Sequence, residues 1–160
     1  MAFLAYNEFG LSEHWLSKNL LNAIGYAAFE VGAVVVALSG EEKQLDYYAV
    51  KAVTISSLLI FTTIQSQDFK DEEGDRACGR KTVAILYPKV GRISLSILIT
   101  AWAIVLPVIW HAPVLVSLLF LLMGVGIAVR FLALRDTASD RSSFMAYNVS
   151  IRDSSSQFKN

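Results

Sequence analysis

Four apolar segments take up most of this chain and leave it very few folds to choose from. The first runs from about Leu20 to Leu38 with Glu30 as its only charge, and the second from about Ala49 to Ile64 with Lys51 at its edge. The third spans Ile93 to Trp110 without a charge, and the fourth spans Val114 to Val129 and continues past Arg130 to Leu134. A helix that crosses a bilayer needs about 20 mostly apolar residues, within a range of ~17–25. The third segment meets that length. The fourth does so if Arg130 snorkels to the interface, the first if Glu30 faces the bundle interior, and the second only if its Ser/Thr-rich end is counted. A soluble helical bundle is the competing fold. It fails on surface: 54% of the residues are hydrophobic and 18% charged, against ~45–50% and ~25% in ordinary globular domains. The expected fold is therefore all-α, an integral membrane helical bundle of about four transmembrane helices.

The connections fit that plan. Ser39-Gly40-Glu41-Glu42-Lys43-Gln44 forms a short polar turn, and His111-Ala112-Pro113 a tight one beside Trp110, an interfacial aromatic. The long connection is Asp68 to Gly91, where Gly79, Pro88 and Gly91 argue against one continuous helix. A transmembrane domain over 1–139 and a polar, poorly ordered tail over 140–160, with Ser154-Ser155-Ser156 near its end, complete the expected organisation. The first ten residues contain a Glu and no basic run, so no cleavable signal peptide is expected.

Charge gives orientation. With both termini and the long loop on one side, twelve of the 14 basic residues share that side, leaving only Lys43 and Lys51 opposite. The positive-inside rule assigns the richer side to the cytoplasm. Formal net charge is zero, so no basic surface is available for nucleic acid. The single Cys78 excludes an intramolecular disulfide and a cysteine-based zinc site.

The chemistry concentrates in Gln67-Asp68-Phe69-Lys70-Asp71-Glu72-Glu73-Gly74-Asp75-Arg76-Ala77-Cys78-Gly79-Arg80-Lys81-Thr82. Asp68, Asp71 and Asp75 stand at i, i+3 and i+7, one face of a helix. Like charges on one stripe repel unless a cation sits among them. Mg²⁺ takes hard oxygen ligands from a few carboxylates while phosphates and waters complete its shell. Arg76, Arg80 and Lys81 follow at once and supply the cations a diphosphate needs, while Gly74 and Gly79 permit close approach and a sharp turn. The bland alternative is a solvated loop whose charges cancel locally.

The pattern D-x-x-D-x-x-x-D, followed by a small and basic stretch at the end of a transmembrane helix, resembles the second aspartate-rich motif of UbiA-type intramembrane prenyltransferases. Gln67-Asp68-Phe69-Lys70-Asp71-Glu72-Glu73-Gly74-Asp75-Arg76 and Gly79-Arg80-Lys81-Thr82 resemble the fungal branch of polyprenyl transferases and membrane-bound terpene cyclases most. The likeness is weaker over Asn19 to Gly32 and Phe61-Thr62-Thr63-Ile64. It implies a Mg²⁺-dependent enzyme in which Asp68, Asp71 and Asp75 are metal ligands and catalytic residues. Arg80 and Lys81, with Arg76 beside them, contact the diphosphate of an isoprenoid such as farnesyl or geranylgeranyl diphosphate. Ionisation of the allylic C–O bond yields a carbocation, which an aromatic or similar acceptor captures or which cyclises.

The family's first motif, N-x-x-x-D-x-x-x-D, has no counterpart here, since Asn7, Asn19 and Asn22 lack aspartates at that spacing. The four helices match the second half of the family's fold, which implies a C-terminal portion, with a second polypeptide as one source of the remaining ligands. Two classes stay open: an enzyme of isoprenoid transfer or cyclisation, and a catalytically inactive membrane protein whose charged loop binds a cation. Glu30 is expected to face a substrate cavity or to pair with Lys51 or the backbone. Tyr6, Tyr26, Phe29 and Trp102 offer π faces to a carbocation, though aromatic residues in membrane helices are more often packing or interface anchors. His14 and His111 are interfacial, and the pairs Ser56-Ser57 and Thr62-Thr63 are helix-packing groups.

Overall fold

The computed structural model describes residues 14–37 and 45–157. The expected turn at Ser39–Gln44 and the residue Tyr6 lie outside them. The chain divides into two compact units, residues 1–64 and 65–160.

In the first unit, α1 (Trp15–Ala37) packs on α2 (Tyr47–Thr63). Asp46 caps α2, its carboxylate accepting from the Ala49 amide at 2.7 Å, which satisfies one of the amides a helix start leaves without a carbonyl. Ser57 and Thr63 turn their hydroxyls back onto the carbonyls of Val53 and Leu59, at 2.7 and 2.6 Å. Such bonds hide hydroxyls from a lipid-facing environment and leave no activated nucleophile. The Glu30 carboxylate accepts a hydrogen bond from Ser56.

In the second unit, α3 (Ser66–Lys70), α4 (Glu72–Ala77) and α5 (Val83–Leu86) are short pieces leading into a hairpin of α6 (Pro88–Ile109) and α7 (Val114–Ala133). Pro88 opens α6 at a position where its missing N–H costs nothing. At the far end His111 adopts φ 50°, and the Ala112 amide closes the turn on the Pro107 carbonyl at 2.8 Å. The two helices meet through small residues. A Cβ on Gly124 would stand 2.5 Å from that of Ala103, and Ser96 Oγ donates across to the Ala128 carbonyl at 3.1 Å. Close backbone approach and an interhelical hydroxyl bond are what hold membrane helices, where apolar side chains gain nothing by leaving lipid.

The outward faces confirm an inside-out arrangement. Phe29, Ile97, Val108, Leu115 and Leu122 are all exposed, a pattern suited to hydrocarbon and unsuited to water. Among the described residues three helices, α1, α6 and α7, are long and apolar enough to cross a membrane, and α2, with 17 residues, is a shorter apolar one. The protein is an all-α integral membrane bundle.

The C-terminal stretch is helical where it is described. α8 (Thr137–Gln157) runs straight across the 139/140 boundary. Two features of its first turn account for it. The Asp136 carboxylate accepts from the Ser139 amide at 2.9 Å, and Asp140 is buried against Arg92.

Candidate functional site

Asp68, Asp71 and Asp75 do not form the single helical stripe. The helix breaks at Asp71, whose φ/ψ of −104°/8° ends α3 and begins α4. Asp68 on α3 and Asp75 on α4 are buried, 1% and 3% exposed. Asp71 instead turns to its neighbour, both of its oxygens held by Lys70 Nζ at 2.6 and 2.7 Å. The i, i+3, i+7 register assumed unbroken helix, and Gly74 with four acidic neighbours gives a weak one.

Downstream, local geometry brings one cation back. Gly79 takes φ +69°, a left-handed conformation that glycine adopts without a Cβ penalty. The chain therefore reverses, and Arg80 returns to Asp75 twice: its amide to the Asp75 carbonyl at 2.9 Å, its guanidinium to the Asp75 carboxylate at 2.8 Å. Arg76 points elsewhere, to Glu72 at 2.7 Å on the exposed side of α4. Lys81 is exposed, and Thr82 behind it is buried.

Beneath the acidic segment lies a support that the sequence did not announce. Phe69 is 1% exposed, next to Asp68 in the chain. Its ring packs on Phe131 at 6.3 Å, and the Arg92 guanidinium lies 4.5 Å above its face. Arg92 is gripped in turn. Its Nη atoms donate to both Asp140 oxygens, at 2.7 and 2.6 Å, and to the carbonyls of Phe131 and Leu134, at 3.0 and 3.4 Å. Lys70 Nζ sits 5.0 Å above the Phe144 ring, and Thr137 donates to Glu73 at 3.3 Å. Residues from α6, α7 and α8 thus clamp α3 from below. Arg92 stands at the rim of the third apolar segment and Asp140 in the supposed tail, so only their long-range pairing, absent from any local pattern, reveals them.

Among the described residues no three His, Cys, Asp or Glu side chains gather as a metal site by themselves. Mg²⁺ asks less, since it is usually held by one or two carboxylates while phosphates and water complete its octahedron. Buried Asp68 and Asp75 fit that donor chemistry, and Asp71, bound to Lys70, does not in this geometry. With Arg80 and Lys81 beside them, the arrangement has carboxylate and cationic groups adjacent at the foot of apolar helices.

Comparison with known proteins gives the family. The chain matches the UbiA prenyltransferase family over residues 1–150. It is 33% identical over 150 residues to fumagillin beta-trans-bergamotene synthase of Aspergillus fumigatus, an alignment that covers 92% of this chain and 50% of that protein. The chain thus spans about half the length of this curated relative. No solved structure matches it. A match over nearly its whole length makes the chain a member of the UbiA prenyltransferase family.

Proposed function

We propose that this chain carries a Mg²⁺-assisted diphosphate site of an enzyme that ionises an allylic isoprenoid diphosphate. The observation that carries the reading is the burial of Asp68 and Asp75, with Asp75 paired to an Arg80 that Gly79 folds back, in a chain of this family. Bound Mg²⁺ supplies positive charge opposite the leaving diphosphate. Asp68 and Asp75 would hold it, and Asp71 is engaged by Lys70 instead. Arg80 and Lys81 balance the diphosphate as its charge grows on C–O cleavage, with Arg76 further out. The apolar helices hold the prenyl tail and exclude water from the cation. In the proposed topology this loop opens to the cytoplasm.

The relative named a bergamotene synthase favours a cation that closes on its own chain. Capture by an aromatic acceptor is the second reading, favoured by the family's prenyltransferase description. A second polypeptide carrying further ligands finds no support in the structure. The test uses membranes bearing the protein, alone and extended to the length of the relative, with labelled farnesyl diphosphate and Mg²⁺. A hydrocarbon formed without acceptor supports cyclisation, and a product formed only with a phenolic acid supports transfer. Diphosphate left intact by both proteins under both conditions sinks the proposal.

A further inference from the structure

α6 and α7 form a hairpin, so the start of α6 and the end of α7 share one membrane face. All the cations of that hairpin, Lys89, Arg92 and Arg130, together with Arg135 just beyond it, gather at this end, while the opposite end carries Trp110 and His111. Between the two helices at the basic end, Pro88, Lys89, Arg92, Ile93, Leu132 and Arg135 line a cavity of about 160 Å³. A water fills roughly 30 Å³ of liquid, so the space admits a small polar group rather than a single solvent molecule.

The charges around the cavity are unequal. Asp140 neutralises Arg92 through two hydrogen bonds. Arg130 is turned to the hydroxyls of Ser142 and Ser143. Asp136, beside Arg135, directs its carboxylate to the Ser139 amide. Arg135 spends one nitrogen, Nε, on the Leu132 carbonyl at 3.3 Å, and Lys89 has no ion-pair or hydrogen-bond partner among the described residues. Two cations therefore face an open cavity with donors to spare.

The apolar wall continues out of it. Ile93 and Ile97 on α6 are 53% and 63% exposed, and Leu132 and Val129 on α7 are 39% and 54% exposed. Each pair lies within one turn on its helix, so two apolar stripes descend from the basic mouth along lipid-facing surface. A polar, cationic head space above two hydrocarbon-facing stripes has the shape and chemistry of one amphiphile. We propose that this pocket binds the phosphate of an anionic lipid headgroup through Lys89 and Arg135, with the acyl chains lying along Ile93–Ile97 and Val129–Leu132. Basic pockets between membrane helices recognise anionic headgroups in this way. The pocket shares Arg92 with the support beneath the acidic segment, while Lys89 and Arg135 lie outside that support.

The test is native mass spectrometry of the full-length protein released from detergent and titrated with dioleoyl phosphatidylglycerol, dioleoyl phosphatidylcholine or inorganic phosphate. Each surface cation contributes roughly fivefold toward anionic lipid. The wild type is expected to retain one phosphatidylglycerol over phosphatidylcholine by at least tenfold, and Lys89→Ala with Arg135→Ala to lose most of that preference. Both side chains are exposed, so the variant folds, and Lys89→Glu, which reverses the charge, is expected to abolish the preference outright. Equal retention of the two lipids by the wild type, undiminished preference in either variant, or displacement by inorganic phosphate at equal concentration would each overturn the assignment.

Discussion

Replacing Asp140 with alanine strands the Arg92 guanidinium in a space where its side chain is only 9% exposed. Taking one partner from a buried ion pair costs about 3–5 kcal/mol, because the remaining charge keeps its desolvation penalty without its counter-charge. The structure narrows that range. After Asp140 is gone, Arg92 still donates to the carbonyls of Phe131 and Leu134 and still rests on the Phe69 ring at 4.5 Å. A partly desolvated cation–π contact retains up to about 2 kcal/mol, so the lower end of the range, about 3 kcal/mol, is expected. The paired change Arg92→Met with Asp140→Leu removes both charges and keeps the volume. It is expected to lie within about 1 kcal/mol of wild type, since apolar replacements of buried pairs are commonly neutral or better. Reversible unfolding in mixed micelles, followed by tryptophan fluorescence, measures all three. A loss below about 1 kcal/mol for Asp140→Ala, or a double variant as weak as the sum of its single changes, would refute the reasoning that α8 is locked down by a desolvated pair.

Gly124→Ala should cost about 1–3 kcal/mol by the same measurement, because its new methyl meets Ala103 at 2.5 Å; adding Ala103→Gly should restore most of it, and no restoration would show that the helices are not in contact there. Gly91→Ala places a methyl 2.7 Å from Val83 Cγ1 and 3.2 Å from Phe69 Cζ, so it should disturb the support of Asp68 and lower turnover together with stability. Asp68→Asn and Asp75→Asn should each lower turnover by about a hundredfold or more in the active protein, and Asp71→Asn by clearly less; equal losses at all three would restore the single-stripe arrangement. The hydrogen bonds from Ser139 hold the Asp136 carboxyl below its ordinary 3.8. Its cap therefore stabilises the start of α8 above that value and fades as pH falls through the lowered folded one. Amide exchange at Ser139 and Asp140, relative to the rest of α8, should rise on acidification in wild type and be raised at neutral pH in Asp136→Ala.

What the residues disclosed and what they withheld divide along range. The apolar runs foretold α1, α2, α6 and α7, because bilayer thickness fixes length and composition locally. Gly79 foretold a reversal, because a left-handed residue is a local demand. The i, i+3, i+7 spacing of Asp68, Asp71 and Asp75 is silent about the break at Asp71: spacing counts residues, and only the backbone decides whether the count spans a break. Arg92, Phe69 and Asp140 went unnoticed as a unit because their meeting depends on how α6, α7 and α8 pack, which no window of sequence contains. The polar composition over 140–160 is silent about the buried Asp140 carboxylate and the Asp136 cap that hold the first turn of α8.

The break at Asp71 leaves the acidic segment in helices of five and six residues, too short to persist without tertiary support. Their support comes later in the chain, since Arg92 and then Asp140 follow them. A ribosome delivers the carboxylates well before the clamp that seats them. The site therefore matures only after the hairpin is inserted and α8 has emerged. Until then the acidic stretch lacks the contacts that seat it.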